Sequence, residues 1–148
     1  MPPTKIDHEH HLLRYVSWAR LRKDDNDKVV GVLGEAFQLR NGEEYLSATW
    51  AEFFEQASHE DNVTRAVGIL RQSNLQVRPK SGFAVGQVKF IDEDCKACSC
   101  SVRFLHEKET DNPAHSALRG WGKLSDEQLE RIAVNSWSSF RLNSEIPE

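Results

Sequence analysis

The sequence predicts a single-domain α+β protein over residues 1–148, with a small mixed sheet of four to six strands and about four helices. Three observations carry that expectation. The first is a pair of strand-like runs, Leu12–Trp18 and Cys100–His106. In the second run Val102 and Phe104 alternate with Ser101, Arg103 and Leu105, the period of a half-buried strand. The second observation is helical spacing. Val63, Ala66, Val67 and Leu70 fall at i, i+3, i+4 and i+7, and Leu129, Ile132, Ala133, Trp137 and Phe140 form a comparable stripe further on. The third is size: 148 residues with 39% hydrophobic content suffice for one core and leave little for a second.

Taken in order, residues 1–10 read as a loose terminus, and Leu12–Trp18 as the first strand with Arg14 among apolar neighbours. Arg20–Lys28 is a charged loop, and Val29–Leu33 a short strand or a continuation of that loop. Leu33–Phe54 is the densest mix of apolar, aromatic and ionisable residues. Within it Asn41-Gly42 marks a turn, because both residues tolerate positive φ. Glu44–Ser47 follows as a short strand. Thr49 is read as a helix N-cap with Glu52 at the third helical position, a capping-box pattern that leaves Ser47 and Glu52 facing a cleft.

His59–Asn62 separates two helices, with Asn62 capping Val63–Ser73. Gly68 weakens that helix by up to ~1 kcal/mol relative to Ala. Leu75–Arg78 is extended, since the residue before Pro79 avoids the helical region. Ser81 caps a helix over Gly82–Ala97, on which Val85, Val88, Ile91 and Cys95 recur at helical spacing. Lys108–Asn112 is a polar loop, Pro113–Gly120 a short strand or helical turn, and Ser125 opens the last helix with Gln128 completing a capping box. Residues 142–148 read as a fraying tail.

The bulk numbers restrict partners. A net charge of −4 argues against nucleic acid and acidic membranes. No apolar run approaches the 18 or so residues of a membrane span. Three cysteines crowded into Cys95–Cys100, with no apolar leader at the start, fit a reducing cytoplasm. Charge is uneven: Asn41–Thr64 holds Glu43, Glu44, Glu52, Glu55, Glu60 and Asp61 with no cation. Arg65–Lys89 holds Arg65, Arg71, Arg78, Lys80 and Lys89 with no acid. These segments form two solvated faces or, on the basic one, an anion site.

Candidate chemistry is sparse. Cys95, Cys98 and Cys100 offer one CxxC, where structural zinc wants four ligands; His106 or His115 would have to serve at unfamiliar spacing, so no zinc is assigned. His8, His10 and His11 have no acidic partner of fixed geometry and are given no metal either. Among the tryptophans, Trp121 between two glycines suggests a loop. Arg78-Pro79-Lys80-Ser81-Gly82 is the stronger motif. A helix starting at Ser81 leaves free N–H groups, Gly82 lets a ligand approach, and Arg78 and Lys80 add charge, the recipe for a phosphate or carboxylate site or for a plain capped helix. Asn112-Pro113-Ala114-His115 is a rigid turn presenting His115 in one orientation, for catalysis, binding or structure.

The order LLRYV, AF…YLS with Glu52 beyond it, PKSG and NPAH resembles small uncharacterised bacterial proteins that share AF…LS and NPAH segments. More distantly it resembles the RES domain of bacterial toxins, an ADP-ribosyltransferase-like fold that consumes NAD. The matching positions are Arg14, Tyr45, Glu52, Ser81 and His115, across residues 11–120. The resemblance implies catalytic roles for Arg14, Tyr45, Glu52 and His115, with NAD as the possible cofactor. Two classes of function follow. One is an accessory or interaction protein of a bacterial toxin–antitoxin or defence operon, with a protein partner. The other is an NAD-consuming enzyme or a domain that binds a nucleotide or another phosphate-bearing ligand.

Overall fold

The computed structural model describes residues 4–148. Its centre is an antiparallel sheet built from β1 (Thr4–Lys5), β2 (His11–Ser17), β5 (Tyr45–Trp50), β6 (Ser81–Gln87), β7 (Arg103–His106), β8 (His115–Arg119) and β9 (Ser139–Leu142). The strand order is β1-β7-β8-β5-β2-β6-β9. A separate hairpin joins β3 (Leu21–Lys23) and β4 (Val29–Val32). Among the described residues there are three α-helices, α1 (His59–Gln72), α2 (Val88–Ala97) and α3 (Asp126–Asn135). The α+β class stands. The main sheet has seven strands instead of four to six, every pairing is antiparallel instead of mixed, and the α-helices number three instead of four.

The sheet is covered on both faces. Leu12, Val16, Leu46, Ala48, Ala84, Phe104 and Leu118 pack with Phe37 and with the apolar stripes of α2 and α3. Leu13, Phe83 and Val85 pack on the other side with Val63, Ala66, Val67 and Leu70 of α1. The two-faced burial explains the largest correction. Ser81 begins a strand, not a helix: β6 is buried along Ser81–Gly86 and so shows no alternation. Val85 happens to stand three residues before Val88, and this continued the true helical spacing of Val88, Ile91 and Cys95 backwards into a strand. Gly82 is small for the sheet's sake. A Cβ there would lie 2.8 Å from the Arg141 carbonyl oxygen.

Other boundaries shift for local reasons. Thr49 lies inside β5, and only a 3-10 turn, Ala51–Phe54, follows, ended by Glu55 at φ 49°. Helix α1 begins at His59, not Val63, because Ser58 is its N-cap and accepts the Asp61 N–H at 3.1 Å. Asn62 instead accepts the Gln56 N–H. The expected loose N-terminus is ordered from Thr4, which pairs with His106, while Ile6 is buried; residues 1–3 of that expectation lie outside the described residues. His11 opens β2. The tail is also held: Arg71 donates to the carbonyls of Asn143, Ile146 and Pro147 and to the Asn143 side chain. Trp121 is buried and donates its indole N–H to the Phe37 carbonyl at 2.8 Å. Trp137 lies beyond the end of the last helix and Phe140 belongs to β9, so neither is on its stripe.

Candidate functional site

The site grows from a split in the sheet. β2 pairs with β6 over seven residues, from His11 with Gln87 to Ser17 with Ser81. With β5 it shares only Leu12–Trp50 and Leu13–Thr49, after which β5 stays with β8 from Tyr45 to Thr49. Arg14 bridges the gap. Its Nε donates to the Ala36 carbonyl at 2.8 Å and its Nη1 to the Ser47 carbonyl at 2.7 Å. Its Nη2 has no hydrogen-bond partner among the described residues. A cleft of about 1000 Å³ opens at this split. Leu13, Tyr15, Ser47, Thr49 and His115 line it from the sheet, Leu70 and residues 73–75 from the end of α1, and Lys108–Asn112 from the β7–β8 turn.

His115 is built into this cleft by its turn. Asn112 accepts the Ala114 N–H with Oδ1 and donates from Nδ2 to Thr49 Oγ1 at 3.0 Å, which fixes the start of β8 against β5. The His115 ring is 2.7 Å from the Glu107 carbonyl through Nδ1 and 3.2 Å from Ser47 Oγ through Nε2. A carbonyl oxygen can only accept, so Nδ1 carries a proton, and in the neutral form of the ring Nε2 is then free to accept from the Ser47 hydroxyl. This is a base beside a hydroxyl, with a third group orienting the base, the arrangement that activates a nucleophile. Glu109 Oε1 lies 3.7 Å from Nε2 and would take the charge of a protonated ring. Tyr45 meets His115 edge-on at 5.8 Å and carries the Arg119 guanidinium on its ring.

The charge around the cleft opposes that of the whole chain. Arg14, Arg20, Arg40 and Lys108 line it against Glu109 and Asp111, in a protein of net charge −4. Asp111 is partly spent on structure: its Oδ2 accepts the Asn74 N–H at 2.8 Å and ties the turn to the segment after α1. Burial lowers the Arg14 pKa to about 10; Glu43 opposes this and the neighbouring Arg20 and Arg40 add to it. At neutral pH Arg14 remains a cation.

The chain matches no family model, no curated protein and no solved structure. The site therefore rests on its own geometry.

Of the residues singled out in the sequence, Arg14 and His115 line the cleft and Tyr45 touches His115. Glu52 stands apart. Its Oε1 accepts the His11 backbone N–H at 2.7 Å and its Oε2 lies 2.6 Å from His11 Nδ1. Burial disfavours the Glu52 carboxylate, but these bonds from His11 outweigh it and hold the carboxyl below its ordinary range. His59, packed on His11 with ring centroids 4.4 Å apart, has its pKa lowered by burial and then by His11.

The Arg78–Gly82 anion site loses its helix start. Ser81 is buried in β6 and donates to the Arg78 carbonyl, the Arg78 N–H donates to the Tyr15 hydroxyl, and Lys80 lies over the Trp18 ring. Burial, and then the neighbouring Cys100 and Cys98, push the Cys95 thiol up to about 12, as befits a core residue. Nothing in the sequence marks Arg20, Arg40 and Lys108: Arg20 ends the 3-10 turn Trp18–Arg20, Arg40 and Lys108 sit in loops, and none has a fixed spacing to Arg14. Ser47, expected to share a cleft with Glu52, lines this one without it.

Proposed function

We propose that the cleft at the β2–β5 split binds an anionic ligand of nucleotide size, and that NAD or its ADP-ribose part is the class to test first. The observation that carries this reading is Arg14. Two backbone carbonyls hold its guanidinium, and Nη2 is left for a ligand. Arg20, Arg40 and Lys108 around the same opening supply further positive charge. A volume of about 1000 Å³ suits a ligand with both polar and apolar parts. The resemblance to the RES domain points the same way for Arg14, Tyr45 and His115, though Glu52 lies outside the cleft lining. In an enzymatic version, Ser47 and His115 provide the hydroxyl and the proton acceptor.

Calorimetric titration with NAD, ADP-ribose and inorganic phosphate tests the proposal. Saturable binding of NAD or ADP-ribose is expected, weakened at least about tenfold by Arg40→Ala with Lys108→Ala, since each removes a charge contact. Release of nicotinamide from NAD, lost in Ser47→Ala and His115→Gln, would make the protein an enzyme. Binding without turnover makes it a nucleotide-binding domain. If none of the three binds at millimolar concentration, the cleft reading fails and the accessory-protein reading replaces it.

A further inference from the structure

We propose that His11, Glu52 and His59 form a divalent transition-metal site with three protein ligands and at least one open coordination position. One potential ligand atom from each residue lies within 4.8 Å of the other two. The sequence hides this set because its members come from three elements: His11 opens β2, Glu52 sits in the 3-10 turn after β5, and His59 opens α1. The fold holds them together. The Leu12–Trp50 pairing fixes His11 relative to the turn, and Ser58 caps the helix start that carries His59.

Two details suit a metal better than a plain hydrogen-bonded cluster. The His11 backbone N–H holds Glu52 Oε1, so the carboxylate is already oriented with Oε2 toward the imidazole. Such outer support is what fixes a first ligand in place. His59 Nδ1 is buried and has no hydrogen-bond partner among the described residues. A buried ring nitrogen without a partner is a cost that coordination would remove, directly or by reorienting the ring. The donor set selects the metal class. Two imidazoles and one carboxylate suit Zn²⁺, Co²⁺, Ni²⁺ or Fe²⁺, while Mg²⁺ and Ca²⁺ prefer all-oxygen sites.

Coordination releases to solvent the proton that His11 Nδ1 and Glu52 Oε2 share and opens the two atoms slightly. Two ligands of a tetrahedral ion stand about 3.4 Å apart, from bonds of about 2.0–2.1 Å, and His11 Nδ1 and Glu52 Oε2 now lie 2.6 Å apart. The side chains of His11 and Glu52 are 29% and 21% exposed, enough for an ion to enter while the protein supplies most of its shell. Three ligands leave a position for water or a substrate oxygen, the form that metal sites take when they do chemistry.

The test uses chelator-treated full-length protein titrated with Co²⁺, followed by visible d–d absorption. One saturable equivalent is expected, displaced by Zn²⁺. His59→Gln and Glu52→Gln should each weaken it more than about tenfold, while His8→Gln with His10→Gln should leave it in place. A measurement on the wild type guards against a variant that fails to fold: Co²⁺ should shift and broaden the ring-proton resonances of His11 and His59 more than those of His8 and His10. Absence of a saturable equivalent, or a signal that survives His59→Gln and disappears with the His8 and His10 changes, overturns the site.

Discussion

Arg14 shows how one side chain substitutes for missing strand pairing. Where β2 and β5 part, the Ser47 carbonyl of β5 would lack this partner, and the guanidinium reaches it together with the Ala36 carbonyl of the 3-10 turn Gly34–Phe37. Lysine has the charge but not the planar fork, so Arg14→Lys should lower stability by about 1–3 kcal/mol for each carbonyl left unpaired. Urea unfolding of the variant at pH 7 measures it. A second residue-scale prediction concerns Glu107, bound through both oxygens by Arg119 at 2.6 and 2.7 Å. Arg119 holds the Glu107 carboxyl below its ordinary range, and His115 and Arg103 add to the effect. A depressed acid contributes stability above its unfolded pKa, about 4.3, and loses that contribution as pH falls through the folded value. Glu107→Gln should therefore melt below wild type at pH 7, and the gap should close in acid. A gap unchanged between pH 7 and pH 3 would remove the ion pair as its cause.

At the scale of elements, α3 and Trp137, two residues beyond its end, carry the clearest prediction. Trp137 is 1% exposed and stacks on Phe37 at 4.9 Å. Trp137→Ala should cost about 3–5 kcal/mol, whereas Ser125→Ala, which removes the capping box, should cost about 1 kcal/mol. Chemical denaturation of the two variants checks the ratio. These features were legible in the sequence because they are local: a Ser with Gln three residues on, and apolar residues on one helical face. The stripe of α1 was legible for the same reason, as was β2. β6 was not, because a strand buried on both faces carries no alternation and its residues read equally well as a helix. Thr49 misled in a related way. Its hydroxyl fits a helix cap, but it accepts a hydrogen bond from Asn112, sixty-three positions along the chain. The candidate site divides along that line. Arg14 stands out in the sequence only as a cation among apolar neighbours and His115 only as the end of a rigid turn, while the other cations of the cleft and the meeting of His11, Glu52 and His59 come together only once the sheet has formed.

For the whole molecule, the C-terminal segment acts as a clasp. Arg71 binds the backbone of Asn143, Ile146 and Pro147, and Ile146 packs in the α1 layer beside Leu13 and Phe83. Deleting residues 143–148 should lower stability by at least the burial of one Ile, about 1.5–3 kcal/mol, and a melting curve of the truncated chain would show it. The strand order has a temporal consequence as well. β2 lies between strands that follow it in the sequence, and β1 pairs with β7, Thr4 opposite His106. As the chain leaves the ribosome, β2 emerges with no neighbour until Tyr45–Trp50 appears, and its long ladder waits for Ser81–Gln87. Closing such loops costs entropy before any contact repays it, which makes the domain slower to fold than a helical bundle of the same size. Until β6 arrives, Leu12, Leu13 and Val16 lack the partner that covers them in the fold, and an apolar strand awaiting its partner is the kind of segment chaperones bind.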